Sequence, residues 1–248
     1  MRYPPPPLER DDATDAPSAN VSELRRALSH PLRAWTSVHQ WAALARYAGV
    51  RYADVMRYRR ELRDDRHFQD HLARVRPEIT YSFPEAAELY VIVRAAKPRF
   101  VVETGVASGF SSAHILLALA ANNAGVLHSI DLPNVQQGSV LPGGRSPGWI
   151  VPEWLRARWE LHIGNTRQVL PSLLRSLERV DLFLHDSDHS YAHMAFEYEQ
   201  ALPHLSGGGL LLSDDTHLHS AWDDFCHRHG LRASRVGHLG ITRIPRRQ

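Results

Sequence analysis

Two hydrophobic periods alternate along most of this chain. Short apolar runs at 100–102, 126–130, 159–163, 180–185 and 209–213 have the length and the Val, Ile and Leu content of buried strands. Between them, apolar residues at three- and four-residue spacing predict helices over 111–122, 166–177, 191–204 and from about 218 to just before Gly230. Such alternation predicts an α/β fold with a doubly wound sheet. The tail LRASRVGHLGITRI predicts a terminal antiparallel hairpin turning at 237–240. Ser82-Phe-Pro-Glu85 has the form of a capping box with proline in the first turn, opening a helix through Ala96 that Pro98 ends.

Upstream the pattern is purely helical. Residues 22–48, interrupted at Pro31, place Leu24, Leu28, Trp35, Val38, Trp41, Leu44 and Ala45 on one side. Residues 52–75 carry a stripe of Val55, Tyr58, Leu62, Phe68, Leu72 and Val75, with Arg and Asp on a solvated face. Residues 1–20, with four consecutive prolines, are expected to be a disordered tail. The chain therefore divides into a tail (1–20), a helical extension (21–78) and a main domain (79–248). The extension either caps the site or joins two copies as a homo-oligomer. Residues 133–154 are rich in Gly and Pro and carry Trp149 and Trp154, which makes them a lid candidate.

Composition removes several function classes. A formal net charge of +2 gives no field for nucleic acid or a membrane surface, and Lys97 is the single lysine beside 28 arginines (29 − 1). One cysteine, Cys226, leaves no disulfide framework or thiolate cluster. No apolar stretch is long enough to span a bilayer, and the N-terminus lacks a signal-peptide core, so the expected location is cytoplasmic.

The candidate chemistry lies at the carboxyl ends of the predicted strands, where open α/β sheets bind ligands. Glu103-Thr-Gly105 turns the chain after the first strand, and Gly109 opens the next helix. A turn this tight needs positive φ or a close backbone approach at both glycines. Asp131 ends the second strand and can accept both hydroxyls of a ribose; it could equally start a turn. Asp186 and the pair Asp214-Asp215 end the fourth and fifth strands. If those strands are neighbours, three carboxylates meet, and each raises the others' pKa unless a cation joins them. An all-oxygen set suits Mg²⁺ or Mn²⁺. The plainer reading is that Asp214-Asp215 caps a helix and Asp186 positions a turn, and Asp188 could replace Asp186 as ligand. His189, three residues after Asp186, is either a proton acceptor or a turn residue. His217, His219, His227, His229 and Cys226 do not converge as a tetrahedral zinc site requires.

Taken in order, ETGVASGFSS, SIDLP, HIGNTRQVLPSL, DLFLHDSDHSY and GGGLLLSDDT resemble the class I S-adenosylmethionine-dependent methyltransferases. Within them the pattern is most similar to the metal-dependent small-molecule O-methyltransferases of the catechol and macrolide-sugar type. The resemblance covers about 80–244 and implies a Rossmann-like doubly wound seven-stranded sheet, with the terminal hairpin supplying its antiparallel strand. It implies cofactor contacts from Gly105, Gly109 and Ser111, a loop oriented by Glu103, ribose held by Asp131, and adenine facing Asn165 and Thr166. Arg167 departs from the small or amide residue usual there. It further implies Asp186, Asp214 and Asp215 as ligands of Mg²⁺ or another divalent ion, although Asp-Asn is the commoner second pair. His189 stands where the macrolide-sugar type has its base, making Asp186 and His189 the catalytic pair. The implied activity is methyl transfer from S-adenosylmethionine to a hydroxyl of a small molecule. A metal-independent methyltransferase, a non-catalytic cofactor-binding protein and an NAD-dependent oxidoreductase are the alternatives.

Overall fold

A computed structural model describes residues 31–79, 82–133, 141 and 144–246, with side chains from Gln40 onward. The chain forms two compact units, Met1–Val38 and His39–Gln248. Of the first, only the backbone of 31–38 is described, as helix. The expected tail and the apolar positions Leu24, Leu28, Trp35 and Val38 lie outside the described residues or side chains.

Strands β1 (Phe100–Thr104), β2 (Val126–Asp131), β3 (Trp159–Ile163), β4 (Val180–His185), β5 (Leu205–Ser213), β6 (Ser234–Val236) and β7 (Leu239–Arg243) form one sheet in the order β3-β2-β1-β4-β5-β7-β6. β1 to β5 are parallel, and β7 runs antiparallel to both β5 and β6. Strand order reverses between β1 and β4, which opens a crevice beyond their carboxyl ends. β5 is longer than expected because Leu205 also pairs with Val180, across a register irregularity.

The two-residue period of the strands sorts the core into two faces. Val101, Leu182, Leu184, Leu210 and Leu212 join a cluster with α4 (Ala86–Ala96) and α5 (Phe110–Asn122). Their neighbours Val102, Phe183 and Leu211 join the opposite cluster with α6 (Thr166–Leu177), α7 (Tyr191–Ala201) and α8 (Ala221–Arg228). The side chains named on both faces are buried, which explains the unbroken apolar runs.

The upstream helices α1 (Pro31–Ala48), α2 (Tyr52–Asp64) and α3 (Arg66–Val75) contribute Trp41, Leu44, Val55, Leu62 and Phe68 to the first cluster. The predicted 52–75 helix is two helices. Asp65 breaks it, its side chain accepting from the Phe68 N–H as an N-cap. Not all polar residues of α2 face solvent: Glu61 accepts from Arg94 and from the Tyr90 hydroxyl on α4.

Two local expectations fail for a non-local reason. The Ser82–Glu85 box does not open the helix, which starts at Ala86 with no side-chain cap. Glu85 instead accepts from the backbone N–H of His238 in the β6–β7 turn. In the lid candidate, 134–140 and 142–143 lie outside the described residues, but the part from Gly148 is anchored. Gly148 N–H donates to Ala107, Ile150 N–H donates to Ser108, and the His71 ring meets the Ile150 carbonyl. Trp154 lies against His67 and is 44% exposed, so it is a surface contact and not a core anchor.

Candidate active site

The crevice beyond β1 and β4 is a cavity of about 770 Å³. Gly105, Val106, Ala107, Ser111, Asp131, Asn165 and Thr166 line it, together with Asp186, His189, Asp214 and Asp215. Residues from five strand ends thus meet in one space, as the sheet order dictates. Glu103 and Gly109 are not in its wall.

The glycine turn is built from below. Gly105 has φ +82°, and a Cβ there would lie 1.8 Å from the Asp186 carbonyl oxygen, so only glycine lets β1 turn against the end of β4. Gly109 has φ +96°, and its close neighbours are Gly148 and Val151 of the anchored segment. Glu103 is fully buried and accepts from the hydroxyls of Ser111, Ser112 and Ser129 at 2.6–2.7 Å. Burial raises its pKa, and those three donors oppose the rise. The Ser111 hydroxyl is therefore committed to Glu103. Asp131 accepts from the Val106, Ala107 and Leu132 N–H groups, so its carboxylate ties β2 to the glycine turn. Burial lifts its pKa against those bonds. Asn165 caps α6 by accepting from the Arg167 N–H, and the Thr166 hydroxyl pairs with His193 Nε2 at 2.9 Å. The Arg167 guanidinium lies over the Phe196 ring.

The acid side is arranged differently. β4 and β5 are hydrogen-bonded neighbours, and the Asp214 N–H donates to the His185 carbonyl. Carboxylate oxygens of Asp186 and Asp214 and a ring nitrogen of His189 all lie within 4.8 Å of one another. His189 Nε2 is 3.8 Å from Asp186. Burial, and then the neighbouring Asp214, push the Asp186 pKa well above the carboxylate range. Burial and Asp215 raise that of Asp214 to about 6. Asp214 Oδ1 and His189 Nε2 are buried without a hydrogen-bond partner. Burial, and then His185, lower the His189 pKa. Asp215 takes a left-handed φ of +49° and turns toward His217 and His238, whose Nδ1 atoms are each 3.6 Å from its Oδ1. Two of the three expected carboxylates converge, and His189 is the third member of that group. Asp188 accepts from the Ser190 N–H and is not in it.

A buried network behind His189 escaped the sequence reading. Glu197, fully buried on α7, accepts from Thr104, from His185 Nδ1 at 2.6 Å, from Ser187 at 2.8 Å and from His193 Nε2 at 2.8 Å. Burial alone would raise its pKa, but the His185 interaction and the other donors hold it far below the usual range. The His185 ring stands edge-on to His189 at 5.4 Å. The i, i+4 spacing of His193 and Glu197 on a predicted helix is the signal that could have found part of this network.

Residues 102–216 match the family model of a methyltransferase domain. No curated protein matches the chain in sequence. Solved structures match it in fold. TomG, an O-methyltransferase of Streptomyces achromogenes involved in tomaymycin synthesis and solved with SAM, is 18% identical with a TM-score of 0.55, over 73% of this chain and 91% of its own. The SAH-bound methyltransferase PaMTH1 of Podospora anserina is 16% identical with a TM-score of 0.53, over 73% and 88%. An O-methyltransferase of Bacillus cereus in complex with SAH is 14% identical with a TM-score of 0.52, over 73% and 91%.

Proposed function

We propose that this chain is a class I S-adenosylmethionine-dependent methyltransferase that transfers the methyl group to a hydroxyl of a small molecule at a divalent-cation site, with His189 as base. The methyltransferase-domain match over 102–216 and the fold support the first part of this reading. The observation that carries this reading is the Asp186–His189–Asp214 group. Two mutually perturbed carboxyls and two unpartnered buried atoms share a cavity with the glycine turn. Like charges held this close fit a cation, and oxygen donors fit Mg²⁺ or Mn²⁺.

Gly105, Asp131 and the Asn165–Thr166 segment would hold the cofactor, which supplies an electrophilic methyl group. Asp186 and Asp214 would hold the ion, which supplies positive charge to lower the pKa of an acceptor hydroxyl and orient it. His189 takes the hydroxyl proton on Nε2. Its lowered pKa keeps the ring neutral near pH 7, as a base must be. His185, held by Glu197, fixes the His189 ring from behind. Asp215 belongs to the wall and stands one residue from the ion site, with His217 and His238 around it. Phe83, Pro84, Phe110 and Leu141 give the cavity apolar wall for the carbon skeleton of a small acceptor.

The test is methyl transfer across a panel of catechols and hydroxylated small molecules, with and without chelator. S-adenosylmethionine should raise the melting temperature and NAD should not. Chelator should stop turnover but leave cofactor binding in place, and Mg²⁺ should restore it. His189→Ala should regain part of its rate at high pH, where the acceptor ionises unaided. Full turnover in excess chelator, with Asp214→Ala unimpaired, would leave the metal-independent alternative. Stabilisation by NAD alone would remove the methyltransferase reading.

A further inference from the structure

Three metal-binding side chains that methyl transfer does not use come together at the outer edge of the sheet. β2 and β3 run parallel, with His128 opposite Glu160 and Ile130 opposite His162. Side chains alternate along a strand, so His128, Glu160 and His162 stand on one face. His128 Nδ1 is 3.2 Å from Glu160 Oε2 and 3.4 Å from His162 Nε2. One donor atom from each residue lies within 4.8 Å of the other two. The imidazoles stack at 22° with centroids 5.7 Å apart.

The two spacings from His128 Nδ1 match those between donors that share an ion. Donors bound tetrahedrally at about 2.0–2.1 Å sit roughly 3.3–3.4 Å from one another. His128 Nδ1 carries at most one hydrogen, yet it faces a carboxylate oxygen and a second ring nitrogen together. A cation satisfies all three donors at once. Two imidazole nitrogens with one carboxylate suit zinc better than Mg²⁺ or Ca²⁺, which take oxygen ligands. The His128 side chain is only 7% exposed, whereas that of Glu160 is 60% exposed, so the group is fixed on its inner side and open on its outer one. That opening leaves room for an entering ion and a water as fourth ligand.

We propose that His128, Glu160 and His162 form a zinc site separate from the Asp186–Asp214 pair. Because β3 is the terminal strand of the sheet, the ion would clip that edge to β2.

The experiment uses full-length, tag-free protein, stripped with chelator and dialysed, then titrated with Zn²⁺ by calorimetry with bound metal counted by elemental analysis. Asp214→Asn combined with His217→Ala breaks both the Asp186–His189–Asp214 and the Asp215–His217–His238 groups and isolates the edge site. In that background we expect one zinc per chain, not displaced by millimolar Mg²⁺, and a higher melting temperature with zinc. Adding His162→Ala should weaken zinc at least tenfold and abolish the thermal shift. Glu160→Gln, at a mostly exposed side chain, should weaken it too without a risk to folding. His162→Ala in the otherwise native chain should keep Mg²⁺-supported methyl transfer. Absence of zinc from the Asp214→Asn, His217→Ala protein, or equal affinity in it after His162→Ala and Glu160→Gln, would overturn the proposal.

Discussion

The two sides of the cavity differ in whether they complete their own interactions. On the glycine-turn side every carboxylate is spent on the protein. Glu103 accepts three serine hydroxyls, and Asp131 accepts three backbone N–H groups. On the acid side burial and Asp214 raise the Asp186 pKa, burial and Asp215 raise that of Asp214, and Asp214 Oδ1 and His189 Nε2 are buried with no hydrogen-bond partner. Folding therefore stabilises the first half and is opposed by the second. The first is a preorganised shape, and the second is a charge arrangement that a bound cation would complete. Substitutions should accordingly separate stability from turnover.

The largest effect is expected where that separation is sharpest. On the proposed mechanism, Asp214→Ala should lower turnover about 1,000-fold, on the order of 4 kcal/mol of barrier, with cofactor affinity changed little. Steady-state kinetics beside cofactor titration checks it, and equal losses in both would erase the contrast between the halves. Next is Gly105→Ala, which should cost about 3–5 kcal/mol of folding stability, since a Cβ meets backbone at 1.8 Å with φ at +82°. Denaturant unfolding measures it, and a loss below about 1 kcal/mol would mean the turn relaxes cheaply.

The third test concerns pH. The Asp214 pKa is about 6 in the folded chain against 3.8 as the ordinary value. Below about pH 3 the group is protonated in both states and costs nothing. From about pH 3 to 6 the unfolded chain releases its proton first, so stability falls as pH rises, and well above 6 the loss is constant. Metal-free Asp214→Asn should thus be more stable than the native chain by on the order of 2–3 kcal/mol at pH 7 and equal to it at about pH 3. Mg²⁺ should narrow the gap at pH 7, because it stabilises only the chain that keeps both carboxylates. A gap independent of pH would assign the effect to packing. The smallest expected change is Glu103→Gln, about 1–2 kcal/mol less stable, as an amide nitrogen replaces an acceptor facing serine hydroxyls. If it instead abolished turnover at unchanged stability, Glu103 would belong with the acid side.

What the linear order of residues determined was everything with a local cause. Strand and helix runs follow from period and capping. β3, β4 and α6 fall at 159–163, 180–185 and 166–177 because their apolar runs end at turn residues, or at Asn165, which caps α6 by itself. The acids at strand ends were equally legible, because each interrupts an apolar run where the strand leaves the sheet. Tertiary structure decided how each of those groups is used. Asp131 is tied to a turn some 25 residues earlier, and Glu197 is surrounded by donors from β1, β4 and its own helix. Asp215 turns aside to a histidine in the last hairpin, and Glu85 leaves its helix to serve that same hairpin. A carboxylate binds whichever donors the fold brings within about 3 Å, and those donors come from strands adjacent in space, not in sequence.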